Sequence, residues 1–415
     1  MAWIKWTSSK AVKPTPIKGC LGLELTASRA RAATGVPTRG RTHPLEEPHL
    51  DLPLTISLER RTPQIGRAGG ELIRRLPHLV CHNFLPYLGQ PQSWRGGRHI
   101  LDSTKALTIF LDKIRGASPL FEHFFFGLPE YLTSSQIARL TAIALKHRFP
   151  LKGTASNALA LVVDHADLLS VKAPAKSKGT GVHPKSHKPS QPTEVLVVDA
   201  DDHALILNVV SVEPGEAIVK GTSTRPRLGV GLWKEKLLDT FADRCVHFCR
   251  RDPRDSGDAE QSLFEQIDES LDHIRTGKHV DLTVRAAHWY QDLHLQPADF
   301  ESACLPLIRS SVEAVRELLE VTATTLPLRA VWLTHEAGRL PGLARAVHHH
   351  LAERTSISVL RPEAVASAVA NLGDRFLAGE LPNTHLDQSI AIPGTINLEP
   401  PAESRTPEAM KFMKG

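Results

Sequence analysis

The sequence predicts a two-lobed α/β protein, and two observations carry that expectation. Two distant segments, 20–33 (CLGLELTASRARAA) and 194–212 (EVLVVDADDHALILNVVSV), open alike. Each runs strand, acidic residue, turn and second strand, which is a hairpin pattern. Each is then followed by amphipathic helical stretches alternating with short apolar runs, the mark of mixed α/β packing. A segment of quite different composition, 172–193, separates the two.

The elements follow in order. Residues 1–19 are basic and Pro-bearing and read as a flexible arm. After the first hairpin, 34–52 is rich in Pro, Arg, His and Gly and reads as loop. Residues 54–58 suit a short strand, and Pro77 and Pro86 interrupt any helix over 72–88. Leu107, Phe110, Leu111 and Ile114 share one face of a helix over 104–115. The run HFFFGLP at 123–129 suits a buried strand ending in a turn. Thr133 or Ser134 caps a helix over 133–147. A strand or turn begins at Leu151, and 155–169 reads as helix. Residues 172–193 hold Lys, Pro, Ser, Gly and His without one acid, and read as a disordered basic linker.

The second half opens with its hairpin and a third strand at 217–223. Helices are expected at 230–250, 260–275, 297–319, 340–351 and 362–376, with Pro297 and Asp299 opening the third. Strands fall at 280–284, 330–333 and 356–360. Expected lobe I is therefore 20–171 and lobe II 194–360. A C-terminal helix, 361–380, packs back toward the cleft, and 381–415 is a flexible tail.

Composition narrows the function. The 415 residues are 41% apolar and 23% charged, enough to bury a large core without disulfides or metals. Lys and Arg number 50 against 45 Asp and Glu; the net charge of +5 is too mild to make nucleic acid the main partner. No run of about 18 apolar residues suggests a membrane span. The N-terminus has no apolar core of signal-peptide length. Five scattered cysteines, an odd number, fit reduced thiols and a cytoplasmic location.

An ordered set of short segments then points to a family. Residues 127–161 (GLPEYLTSSQIARLTAIALKHRFPLKGTASNALAL) keep Pro129, Tyr131, Gln136, Leu151 and Leu161 in register with V-P-A-Y-F, N-D-x-Q-R and N-E-P-T-A-A-A-L. Residues 20–30 stand where G-I-D-L-G-T-T-N-S is expected, and VVDADDHA at 197–204 stands at D-L-G-G-G-T. LQPADFE (295–301), LTHEAGRLPGL (333–343) and RPEAVASAVA (361–370) continue the order. Together, over about 20–376, they resemble the ATPase domain of the DnaK-type 70-kDa heat-shock chaperones. The resemblance implies an actin-like, ribonuclease H-like ATPase fold. It also implies ATP or ADP with Mg²⁺ held between the lobes.

The motif positions depart from that family where phosphate chemistry is done. Hairpins that grip phosphate need small residues so that backbone N–H groups can approach the oxygens. Gly22 is kept, but the metal-organising Asp becomes Glu24, and Thr26, Ala27 and Ser28 replace G-T-T. Asp199 is kept, while Asp201, Asp202, His203 and Ala204 replace G-G-G-T. Two carboxylates there would repel a triphosphate by several kcal/mol. Ser156 stands in place of the Glu of N-E-P-T and cannot act as a carboxylate base. His335 and Glu336 replace the G-G of the adenosine loop, whereas Gly229, Asp268, Gly338 and Arg339 remain candidates for nucleotide contacts. Glu24 and Asp199, with the Asp201–Asp202 turn, are a candidate Mg²⁺ site; the alternative is a solvated hairpin turn. Arg339 either stacks on a base or sits on the surface at a helix N-terminus.

Other constellations carry less. Cys245 and Cys249 are i,i+4 on a helix with His247 pointing away, so buried thiols are expected. His348, His349 and His350 point in different directions. The reading is a catalytically degenerate DnaK-like pseudo-ATPase, with nucleotide binding weak or lost and no peptide-binding domain. It would be a molecular-chaperone-related scaffold or regulator with protein partners and no membrane. One alternative is an active ATP-dependent chaperone ATPase with altered phosphate loops. Another is a binding module using the basic linker.

Overall fold

The computed structural model describes residues 17, 19–35, 41–169, 192–322, 326, 328–351, 355–382 and 384–392. Almost all of the expected arm and of the basic linker, and the end of the expected tail, lie outside these residues. The fold is mixed α/β with two main sheets.

The first sheet is built on β1 (Leu21–Leu25), β2 (Arg29–Thr34), β3 (Arg41–His43), β4 (Phe124–Leu128) and β5 (Leu151–Ser156). The second is built on β6 (Thr193–Ala200), β7 (Leu205–Glu213), β8 (Glu216–Arg225), β9 (Leu328–Leu333) and β10 (Ser356–Val359). The strand order is the same in both. The first reads β5-β4-β1-β2-β3 and the second β10-β9-β6-β7-β8. In each, an antiparallel hairpin leads, and its first strand pairs in parallel with the fourth. The internal repeat seen in the two hairpins is thus a repeat of whole sheets.

β1, β4 and β6 are buried nearly throughout. That is why they read as continuous apolar runs rather than alternating ones. The first core lies between its sheet and helices α1 (Ser103–Ala117) and α2 (Ser134–Lys146). Thr133, one of the two expected caps, opens α2: its hydroxyl accepts from Gln136 N–H, and the Gln136 side chain accepts from Thr133 N–H at 2.9 Å. α3 (Asn157–Asp164) follows β5. The second core gathers α4 (Val230–Cys249), α5 (Gly257–Arg275) and α6 (Pro297–Val321), with the shorter α7 (His335–Arg339) and α8 (Leu343–Leu351).

The two sheets share a third core. α3 and the last helix, α9 (Ala364–Leu377), carry Leu159, Val162, Val365, Val369 and Leu372 into a cluster with Phe125 of the first sheet and Val195, Val197 and Trp332 of the second. Each such side chain contributes about 1.5–3 kcal/mol on burial. Gly22 explains how closely α9 approaches. A Cβ there would lie 2.2 Å from the Ala366 carbonyl oxygen and 2.4 Å from the Ala370 nitrogen. The residue kept at the expected phosphate hairpin is thus a contact between β1 and α9.

Some expectations differ from the structure. The strand at 151 runs to Ser156, so α3 starts later than expected. The supposed loop 34–52 contains β3 and a strand at Asp51–Pro53 that also pairs with β2. The strand at 280 is half of a hairpin, Val280–Ala286 with Trp289–Leu295. The expected flexible tail contains two strands. β11 (His385–Leu386) adds to β5, and β12 (Ser389–Ala391) adds to β8.

Gly22→Ala should therefore cost about 2–4 kcal/mol, because backbone on both sides must shift. Gly116→Ala, in α1 with nothing within 4 Å of the new methyl, should instead stabilise by up to about 1 kcal/mol. Urea unfolding of the two variants checks both signs.

Candidate functional site

The two hairpin turns meet face to face, and each is closed by its own chain. In the first, Thr26 N–H donates to the Arg29 carbonyl at 3.0 Å, and Arg29 N–H donates to the Thr26 hydroxyl at 3.1 Å. In the second, Asp201 N–H donates to the Ala204 carbonyl at 3.0 Å. Gly229 presses on that turn: a Cβ there would fall 2.6 Å from the Ala204 nitrogen. Its successor Val230 donates N–H to the Asp201 carbonyl at 2.7 Å.

Between the turns lies the Asp201 carboxylate, buried and fully used. One oxygen accepts from His203 N–H and Ala204 N–H, both at 2.9 Å. The other accepts from Ala27 N–H and from the Tyr131 hydroxyl, both at 2.8 Å and both from the first half of the chain. Burial pushes its pKa up, and Ala27, Tyr131 and Ala204 pull the other way by favouring the anion. An anion therefore sits where both turns point their N–H groups, and it is the protein's own.

Asp199 is likewise engaged, whereas Glu24 keeps one buried oxygen without a hydrogen-bond partner. One Asp199 oxygen accepts from the Thr334 hydroxyl at 2.7 Å and from Ala200 N–H at 2.8 Å. Glu24 is buried 3.8 Å from the Arg31 guanidinium. Burial outweighs Arg31 and raises its pKa to about 7. Asp202 turns away to Lys234 at 3.4 Å. The solvated-turn alternative does not fit this. Asp199 and Asp201 are not solvated, and among the described residues no group of three or more His, Cys, Asp or Glu could hold a metal ion. Ser156 caps α3 and donates its hydroxyl to Glu130 at 2.6 Å.

Ion pairs fill the space beside the turns. Arg29 reaches Glu336 at 2.7 Å, joining the first hairpin to α7. Arg339 is not on the surface: it is buried and binds Glu336 at 2.9 Å and Asp272 at 3.3 Å. Burial works against the Glu336 carboxylate, but Arg29 and Arg339 hold its pKa well below the usual range. Asp268 is held down to about 2 against its burial by Lys234, 3.6 Å away, by Arg339 and by Arg29. Gly338 packs against Val359. Farther out, Arg74 N–H donates to Gln261 at 2.7 Å, and the Gln261 amide donates to the Gly70 carbonyl at 2.9 Å.

ATP or ADP with Mg²⁺, implied by the resemblance, does not fit this donor set. Ala27, His203 and Ala204 N–H are bonded to Asp201, Thr26, Arg29 and Asp201 N–H are bonded within their own turns, and the candidate metal carboxylates are bonded to Thr334 or placed against Arg31. Room does remain beside Arg339, in a cavity of about 300 Å³ lined also by Ile274, Arg275, Gly338 and Leu340. Arg29, Tyr131, Glu130 and Lys234 act here although nothing in the sequence pattern marked them as site residues. The one usable signal was Glu336: a carboxylate in a loop expected to hold Gly demands a cation opposite.

No protein-family model matches the chain. Over 207 residues, 49% of its length, the chain is 25% identical to heat shock 70 kDa protein 14 of Mus musculus. It is 24% identical to the protein of that name from Rattus norvegicus over 207 residues and to that from Bos taurus over 195. The match covers 40% of the mouse protein's length.

The buried Glu24 gives a signed prediction. Between the ordinary value of 4.5 and about 7 the folded chain holds a proton that the unfolded chain releases, so this residue's contribution falls as pH rises through that window. Glu24→Gln should have almost no effect near the lower end and should stabilise by on the order of 1–3 kcal/mol above about pH 7. Urea denaturation of both proteins at about pH 5 and about pH 8 measures the difference.

Proposed function

We propose that this chain is a DnaK-like, actin-fold nucleotide-binding-domain relative that works without nucleotide, as a chaperone-related scaffold or regulator of protein partners. The single observation that carries the reading is the Asp201 carboxylate, which takes donors from both hairpin turns. The repeated strand order and the core shared through α3 and α9 support two lobes of actin-like type. Lobe I is 20–171 and lobe II 194–360. The similarity to heat shock 70 kDa protein 14 supports the chaperone connection. No helix among the described residues is long and apolar enough to cross a membrane. Five free cysteines, four of them buried, support a reducing compartment such as the cytoplasm.

A chaperone ATPase cycle needs nucleotide to favour one lobe arrangement over another. Here the contacts that would report the phosphate are already made by a side chain, so closure has no external switch at this point. Isothermal titration should show no saturable binding of Mg²⁺-ATP or Mg²⁺-ADP up to about 1 mM. Saturable binding to the wild-type chain would overturn the reading. Asp201→Ala should destabilise by about 3–5 kcal/mol, the scale for breaking one partner of a buried charged cluster. Inorganic phosphate should then raise the melting temperature of that variant and leave the wild type unchanged.

A further inference from the structure

The outer edge of the second sheet is only half covered. β12 pairs with Glu216, Ala217 and Ile218 of β8, and Val219 N–H donates to the Gln388 carbonyl at 2.9 Å. From Lys220 to Arg225 the same edge has no strand partner among the described residues. At the end of this bare stretch opens a groove of about 1010 Å³, between the turn after β8, the start of α4 and one face of α6. Its floor includes Leu228, Leu232 and Leu307, and Leu232 is 42% exposed. Arg225 on its wall is paired with Glu317 at 2.6 Å. Arg227 and Arg309 also line it, and among the described residues neither has an ion-pair or hydrogen-bond partner.

We propose that this groove and the bare half of β8 form a docking surface for an extended segment of a partner protein, one carrying carboxylates around an apolar side chain. The proposal rests on the scaffold reading, because it supplies the partner contact that reading requires. Three features favour this occupant. The strand edge already accepts one added strand, β12, so the backbone is presented for antiparallel pairing. The apolar floor offers a seat to a side chain projecting from such a strand. Arg227 and Arg309 complement carboxylates on either side of it. A nucleic acid is disfavoured because only Arg227 and Arg309 are unpaired here, too few cations to follow a phosphate backbone. A second copy is disfavoured because it would bring its own unpaired Arg227 against the same cations.

The test uses two fluorescein-labelled peptides, Asp-Glu-Val-Thr-Phe-Val-Asp-Glu and its twin with Lys at every acidic position, titrated into the nucleotide-free full chain. The expected result is saturable binding of the acidic peptide, weakened at least about tenfold by Arg227→Glu with Arg309→Glu and by Leu232→Asp. Amide exchange within 220–225 should slow when the acidic peptide is bound. Circular dichroism confirms that the variants fold; the two arginines are exposed, so their reversal leaves the core intact. No binding up to about 1 mM, equal affinity for both peptides, or unchanged exchange in 220–225 would overturn the proposal. A chain that bound ATP and still took the acidic peptide would remove the nucleotide-free reading and leave this surface standing.

Discussion

The closed arrangement of this molecule depends on one carboxylate. Burying an ionised Asp without partners costs many kcal/mol. Asp201 avoids that cost only because two backbone turns and a tyrosine hydroxyl, from both halves of the chain, converge on it. Each half supplies donors that would otherwise be buried and unmatched. Neither half can withdraw without leaving a charge or N–H groups unsatisfied, so the turns are coupled far more strongly than their small contact area suggests. Hydrogen bonds to an ionised group are worth roughly twice those between neutral groups, which makes this one point stiffer than the apolar contacts around it.

The ion pairs beside it follow the same logic at lower density. Arg29, Arg31, Lys234 and Arg339 face Asp51, Asp202, Asp268, Asp272 and Glu336 in a nearly balanced set. A buried ion pair seldom adds much net stability over a well-packed apolar pair, because both charges must be desolvated. Its effect is on specificity. Glu336 accepts Arg29 from the first hairpin at 2.7 Å and has Arg31 3.7 Å away, so its charge is met from both halves of the chain. The apolar layer of α3 and α9 supplies most of the burial, while the charged layer fixes which way the halves face.

Much of this was legible in the sequence. The two hairpins announced themselves through strand, acid, turn and strand, and the α2 cap through Thr133. The buried β4 was visible as three consecutive Phe. The role of Asp201 was not legible, because its partners Ala27 and Tyr131 lie 174 and 70 positions away. Reasoning from charge alone treats a carboxylate at a phosphate site as repulsion of a ligand. The arrangement found, a carboxylate that itself takes N–H groups from both turns, needs the geometry of both turns at once. The tail strands escaped notice for a different reason. Two or three residues are too few to show alternation, and their strand character comes wholly from the edges they join. The Trp289–Leu295 strand is mostly polar on its outer face and gave only a weak apolar signal.

The close fit of α9 on β1 bears on how the chain is made. Gly22 meets Ala366 and Ala370, and Cys20 N–H donates to Asp374 at 2.7 Å, across 354 positions. At a synthesis rate of about 5–20 residues per second, the first strand emerges roughly 15–70 s before the helix that covers it. For much of that interval only α3 can cover the inner face of the first sheet, and the β5 edge waits for His385 and Leu386. Until α9 has been made, the part of β1 around Gly22 that it covers stays open to solvent.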